Sequence, residues 1–337
     1  MGKTITGPLI RSAFLSLACV FTLSFSSLLS AQQLSKHKPA DHLFKVFDDS
    51  SYKNTNVFGI SSSFSPRMDR PAARVAEGSA ASQERGEELL KILHFRAKQG
   101  HRELSYKEAR FEMFSRLDST KSNGARGVKA AYSEVFVQGT SGHGSSYPEQ
   151  GDLNGDGFID EGGMNTEHIW PQSFFKKRGP MRSDLNQLLP TFIHTNSARD
   201  RFPFGEVADA DANYKTLSGA KQGRGLFEPP DSAKGRVARA MFYFYTRYQG
   251  YNIIPSHFVE VFWNSKIDLL LRWNRDFPPG NFELRRNDLV EAVQGNRNPY
   301  IDDPSLADKV GAKAFRMQPS RKLYTSSLFK PLALKQP

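Results

Sequence analysis

The chain predicts an α+β fold, a mainly helical single domain with a small β-hairpin set into it, and three observations carry that reading. Apolar residues recur at helical spacing over residues 87–99, 105–117, 232–248, 256–273 and 287–293. Two stretches, 128–137 and 166–168, have strand character, and they are expected to pair with each other. About 220 residues lie between a polar leader and a basic tail, enough for one mixed domain with a substantial core.

Taken in order, Lys3 and Arg11 precede an apolar run over residues 12–29 and then Ser30-Ala31-Gln32, the pattern of a secretory signal peptide cleaved after Ala31. Thr22, Ser24, Ser26 and Ser27 interrupt the run and no basic stop-transfer flank follows, so no membrane anchor is expected after cleavage. Leu15-Ser16-Leu17-Ala18-Cys19 loosely suggests a lipid-attachment site, but apolar sequence continues past the cysteine. Cys19 is the only cysteine, so the cleaved chain has neither a disulfide nor a thiolate. Residues 32–81, rich in Ser, Lys, Asp and Arg without a sustained period, read as a poorly ordered leader.

The domain proper is expected over residues 82–310. Its first helix carries Leu89, Leu90, Leu93 and Ala97 on one stripe; its second starts at a capping box made by Ser105 and Glu108. His94 and His101 read as packing or surface residues. Ser232 is the expected cap of a later helix with Val237, Met241, Phe244 and Tyr248 on one face. Because the aromatics, Trp263 and Trp273 among them, recur at helical spacing, they read as core and not as a base-stacking platform. Residues 311–337 form a basic tail with Lys313, Arg316, Arg321, Lys322, Lys330 and Lys335, either a polyanion arm or a disordered end.

The formal charge is +11, and cleavage after Ala31 removes Lys3 and Arg11 but no acid, leaving +9. Such an excess favours polyanions through sequence-independent phosphate contacts, although a solvated surface or attraction to an anionic cell envelope explains it equally. A monomer is expected.

Asn165-Thr166-Glu167-His168-Ile169-Trp170-Pro171 sets a carboxylate beside an imidazole and then stops the strand. The two side chains face opposite ways in a regular ladder, so serving one site requires a distortion near Pro171. A carboxylate can hold a divalent cation and a neutral imidazole can take a proton from water, which is chemistry for hydrolysing a phosphodiester. Asp152-Leu153-Asn154-Gly155-Asp156-Gly157-Phe158-Ile159-Asp160 places oxygen ligands at alternate positions, as an EF-hand-like calcium loop does. Gly163 stands where such a loop has its bidentate glutamate. The site is therefore weak, borrows a ligand such as Glu161, or is a metal-free Gly/Asp turn.

Together with Met181-Arg182-Ser183-Asp184-Leu185-Asn186-Gln187-Leu188-Leu189-Pro190 and Asn196-Ser197-Ala198-Arg199-Asp200-Arg201-Phe202-Pro203-Phe204-Gly205, the Glu-His stretch resembles the secreted endonuclease I family, whose metal site belongs to the His-Me finger (ββα-metal) group. Phe227-Glu228-Pro229-Pro230, Lys234-Gly235-Arg236-Val237-Ala238-Arg239 and Gln294-Gly295-Asn296-Arg297-Asn298-Pro299-Tyr300 extend the resemblance over residues 89–303. The resemblance implies that His168 is the general base and that Glu167 and Asn196, the latter on a helix under the hairpin, hold one catalytic metal. Magnesium is the default for that metal, with manganese or calcium able to substitute. It also implies an arginine at the scissile phosphate, with Arg178, Arg182 and Arg199 as candidates, and products with 5′ phosphate ends. Where the family often has a histidine after the Asp-Leu pair, this chain has Asn186.

The sequence thus points to a secreted or periplasmic, metal-dependent endonuclease acting on DNA, with RNA left open, and with little sequence specificity. The competing reading is a non-enzymatic, calcium-dependent binding module of the cell envelope, which leaves Glu167, His168 and Asn196 without a role. A zinc peptidase fares worst, since no His-Glu-x-x-His pattern occurs and no cysteine remains.

Overall fold

The computed structural model describes residues 80–318; the expected signal peptide, almost all of the leader and the tail beyond residue 318 lie outside the described residues. Helix α1 (Ala80–Lys98) turns Leu90, Leu93 and Ala97 inward, the stripe that the sequence predicts. Helix α2 (Tyr106–Glu112) starts at the expected capping box: the Ser105 hydroxyl accepts from the Glu108 N–H, and the Glu108 carboxylate accepts from the Ser105 N–H. A π-helical turn (Met113–Leu117) completes the segment, and Met113, Phe114 and Leu117 all reach the core from it.

Strands β1 (Ser119–Ser122), β2 (Ala125–Lys129) and β3 (Phe136–Gln138) form an antiparallel meander, whereas β4 (Met164–His168) pairs antiparallel with β5 (Leu188–Phe192) in a separate ribbon. This corrects the expected pairing of 128–137 with 166–168. Those ten residues turn back on themselves: the Ala130 N–H donates to Val135 O, and Glu134 adopts a φ of 60°. Pro190, opposite Thr166 in the middle of β5, disguises the true partner in the sequence. Proline brings no N–H, but a two-stranded ribbon has outer edges that need none, and Pro190 O accepts from the Ala131 N–H.

Strand β5 runs straight into α3 (Ile193–Arg199), which packs on β4. A second small meander, β6 (Tyr214–Lys215), β7 (Lys221–Gly223) and β8 (Leu226–Glu228), leads into α4 (Asp231–Arg247). The N-cap of α4 is Pro230, not Ser232, because the extended Pro230 already sets the entry and Ser232 falls inside the first turn. Val237, Met241, Phe244 and Tyr248 are buried as predicted, and so are most other residues of α4, so this helix runs through the core. Trp170 stacks on Phe244 with ring centroids 5.1 Å apart, and Trp263 and Trp273 are buried core residues.

The helix expected over 256–273 is divided into short 3₁₀ and π turns before α5 (Ile267–Asp276). Helix α6 (Asn281–Gln294) starts earlier than expected and ends at Gly295, whose φ of 84° favours glycine. After α7 (Pro299–Asp302), α8 (Ser305–Phe315) crosses the expected domain boundary at residue 310. Ala314 and Phe315 are buried, and Trp263 Nε1 donates to Phe315 O at 2.7 Å, so the first residues assigned to the tail belong to the core.

One buried polar group ties these layers behind the hairpin. Asp184, fully buried, accepts from Asn186 N–H, Gln294 Nε2 and the hydroxyls of Tyr243 and Tyr248, all within 3.0 Å. Each buried donor left without a partner costs about 1–3 kcal/mol. Asp184→Ala should therefore lose at least about 3 kcal/mol of stability in urea unfolding; a loss below about 1 kcal/mol would mean that the donors find other partners.

Candidate active site

The hairpin and the helix after it bring Glu167, His168 and Asn196 to one open cleft of about 470 Å³. Strand β4 is paired without a bulge as far as His168, and the cleft reaches both faces of the strand end, so the anticipated distortion is not needed. Beyond it Pro171 starts the turn, its carbonyl accepting from the Phe174 N–H. Gln187 steadies the exit by accepting from the Trp170 N–H and donating to Met181 O.

His168 is 5 % exposed, and its Nε2 lies 3.0 Å from Arg182 O. A carbonyl only accepts, so this contact places the proton of a neutral imidazole on Nε2 and the lone pair on Nδ1. Burial pushes the pKa down to about 4, opposed by the carbonyls of Arg182 and Thr166 and aided by the Arg182 charge, so the ring is neutral at neutral pH.

Glu167 is 2 % exposed. Its Oε1 accepts from the Tyr132 hydroxyl at 3.0 Å and lies 2.8 Å from Arg199 Nε. Burial pushes its pKa up, and the Arg199 charge and the Tyr132 hydroxyl pull it back. Asn196 Nδ2 donates to Asn165 Oδ1 at 2.7 Å and to Thr166 O at 3.3 Å, which commits the amide nitrogen and leaves Oδ1 as the acceptor end. Glu167 and Asn196 therefore offer two hard oxygen donors to the same cleft. Among the described residues no three acidic, thiol or imidazole side chains converge, so an ion placed here would need most of its shell from water.

The expected phosphate arginines are placed differently. Arg199 is fully buried: besides Glu167, it donates from Nη1 to Asp200 O and from Nη2 to Ile169 O, so it orients the carboxylate and cannot reach a substrate. This corrects its assignment as a phosphate clamp; lying one turn after Asn196 puts it near the site, but burial decides its partner. Arg182 donates to Gln172 Oε1 and lies 4.1 Å over the Tyr106 ring, and Arg178 donates to Phe175 O; neither lines the cleft. Tyr132 escapes sequence reading, since it stands in no motif with a chemical signature, and Asn165 is given no role there although it opens the Glu-His stretch.

The Asp152 loop packs against α3. Asp152 accepts from the N–H groups of Asp156 and Gly157, Asn154 from Asp156 and Asp156 from Phe158. Glu149, unmarked in the sequence, accepts from Asn154 and Asp160 N–H. Asp160 Oδ1 accepts from the His194 N–H in the first turn of α3, and the Tyr214 hydroxyl sits 2.8 Å from both Asp156 Oδ2 and Thr195 Oγ1. Gly163 supplies no ligand and Glu161 is exposed, so backbone donors and α3 account for most of the loop's oxygen atoms.

A larger cavity, about 840 Å³, opens between Lys121 and Phe136 of the first meander and Arg236, Phe277 and Phe282. It contains no imidazole, and Glu134 and Glu283 there are paired with Lys129 and Arg239, so size alone does not mark the reactive site.

The family model of endonuclease I matches residues 86–305. The chain belongs to this family. As an endonuclease I family member it is a hydrolase of nucleic acids. It is similar to the extracellular ribonuclease of Bacillus amyloliquefaciens, 29 % identical over 311 residues that cover 88 % of this chain and 98 % of that one. The extracellular ribonuclease of Bacillus subtilis (strain 168) is 34 % identical over 44 % of this chain and 54 % of its own. Endonuclease-1 of Buchnera aphidicola subsp. Acyrthosiphon pisum is 31 % identical over 37 % and 47 %. The chain thus spans nearly all of the first relative and about half of the other two.

Two outcomes test this geometry. Arg199→Ala leaves Glu167 buried without its counter-charge and should cost about 3–5 kcal/mol in urea unfolding, whereas removing an exposed phosphate-binding arginine costs little; a loss under about 1 kcal/mol contradicts the assignment. Asp156→Ala removes acceptors from Phe158 and Tyr214 and should destabilise by about 1–2 kcal/mol. In the same melts, a calcium-induced rise seen in the wild type and not in the variant assigns an ion to the loop; equal responses leave it a turn satisfied by its own donors.

Proposed function

We propose that the chain is a secreted endonuclease of low sequence specificity that hydrolyses phosphodiester bonds in DNA and RNA, with β4, β5 and α3 as a His-Me finger core. The observation that carries this reading is the convergence of Glu167, His168 and Asn196, from both ends of a 30-residue span, on one cleft. Names of the relatives as extracellular ribonucleases, and the signal-like pattern at residues 1–31, support export. No helix among the described residues is long and apolar enough to cross a membrane.

In this mechanism His168 takes a proton from the attacking water on Nδ1, while Arg182 O holds the opposite ring nitrogen and so keeps the basic lone pair in place. Glu167 and Asn196 would hold a divalent cation, magnesium by default with manganese or calcium as substitutes, which would supply positive charge against the negative charge that grows on the phosphate and the leaving 3′ oxygen. Arg199 and Tyr132 fix the Glu167 carboxylate, and Asn165 fixes the Asn196 amide, so both oxygens are aimed before substrate arrives. Attack in this direction leaves a 5′ phosphate on the product. Water completes the chemistry, so the chain needs no nucleophile of its own.

His168→Ala should lower plasmid nicking by about 10²–10⁴-fold while the protein stays folded, because a general base supplies that much. Nicking at the wild-type rate would remove His168 from the mechanism. Nicking that persists in excess chelator would remove the cation from it.

A further inference from the structure

The cleft presents two cations that the sequence reading leaves without a role. We propose that Lys177 and Arg201 hold the phosphodiester backbone of the bound strand beside the reactive centre; this inference rests on the nuclease reading above. Both side chains line the cleft with Glu167, His168 and Asn196. Both residues are exposed, and neither has a carboxylate partner among the described residues. Among the described residues the one ring that Arg201 meets is Phe258, at 5.9 Å. Elsewhere the basic side chains that face the interior are committed: Lys234 to Glu228, Arg239 to Glu283, and Arg286 to Asp118.

The backbone is bent to present them. Lys177 has a φ of 55°, in a turn held by its N–H donating to Gln172 O at 2.8 Å. Arg201 follows Asp200, which closes α3 with a φ of 44° while its N–H donates to Asn196 O and its carbonyl accepts from Arg199 Nη1. Residues with side chains seldom adopt this region, and where they do the surroundings hold them there. Each turn is thus anchored to a residue of the site itself, Gln172 on one segment and Asn196 on the other.

The chemistry fits a phosphodiester chain and not a base edge. An ammonium acts as a point charge, and a guanidinium grips phosphate oxygens with paired N–H groups. Such contacts position a strand without reading its sequence. Asp200, exposed in the same cleft, opposes them, so removing its charge should strengthen binding.

The test uses the full chain and a 20-base-pair duplex. Affinity is measured against salt in chelator, and cleavage is then measured with magnesium. Lys177→Ala and Arg201→Ala should each lower kcat/KM by about tenfold and flatten the slope of log K against log salt by about 0.9, the value for one lost duplex phosphate contact. Asp200→Asn, which keeps the shape of the side chain and removes its charge, should bind more tightly. Lys91→Ala, on the exposed face of α1, should match the wild type in slope and rate. Wild-type slopes and rates in both Lys177→Ala and Arg201→Ala, with melting curves unchanged, overturn the inference. A wild-type protein that binds but does not cleave with any divalent cation removes the nuclease reading, while the slopes still decide the two cations.

Discussion

A single buried ion pair organises the reactive end of this molecule. Glu167 on β4 and Arg199 on α3 meet at 2.8 Å where both are almost wholly removed from water. Burying either charge alone is costly, so each makes the position of the other obligatory. The remaining donors of Arg199 go to Asp200 O and Ile169 O, on either side of the site, and the Tyr132 hydroxyl donates to the same Glu167 Oε1. Strand, helix and the turn before β3 are thereby locked to one carboxylate. His168 and Asn196 come into place as neighbours of the two locked residues, one beside Glu167 and the other a helical turn before Arg199.

The Asp152 loop works on the same helix from its other end. Asp160 accepts from the His194 N–H in the first turn of α3, Tyr214 joins Asp156 to Thr195, and Phe158 lies against His194 with ring centroids 3.6 Å apart. Helix α3 has only seven residues, too short to be stable alone, so its geometry comes from what holds its two ends. The loop holds the first turn and the ion pair holds the last, with Asn196 between them. Behind the hairpin, Asp184 and Gln294 join the motif segments around 184–187 and 294–300, which accounts for the wide spread of the family resemblance along the chain.

Much of this was legible in the sequence wherever one residue type or one period has one physical meaning. The capping box at Ser105 and the stripe of α4 follow from helical spacing, and Glu167, His168 and Asn196 stand together through the family resemblance. The strand β5 was not legible, because Pro190 argues against a strand unless the ribbon is known to have only two strands. Arg199 shows a different limit: spacing on a helix places it near Asn196, but only packing shows that Glu167 and not solvent receives its charge. Tyr132, Asn165 and Glu149 work through one or two hydrogen bonds each to residues in other segments or turns, and composition carries no trace of those. Lys177 and Arg201 differ from the other unpaired basic residues in lining the cleft, which is a property of the fold.

The buried pair is tested most directly by a double-mutant cycle in urea unfolding with Glu167→Gln, Arg199→Met and the double variant. The account predicts that each single change is strongly destabilising and that the double variant recovers part of the loss, giving a coupling of about 3 kcal/mol. Single losses that add to within about 0.5 kcal/mol would show that the two charges do not depend on each other, and would contradict it.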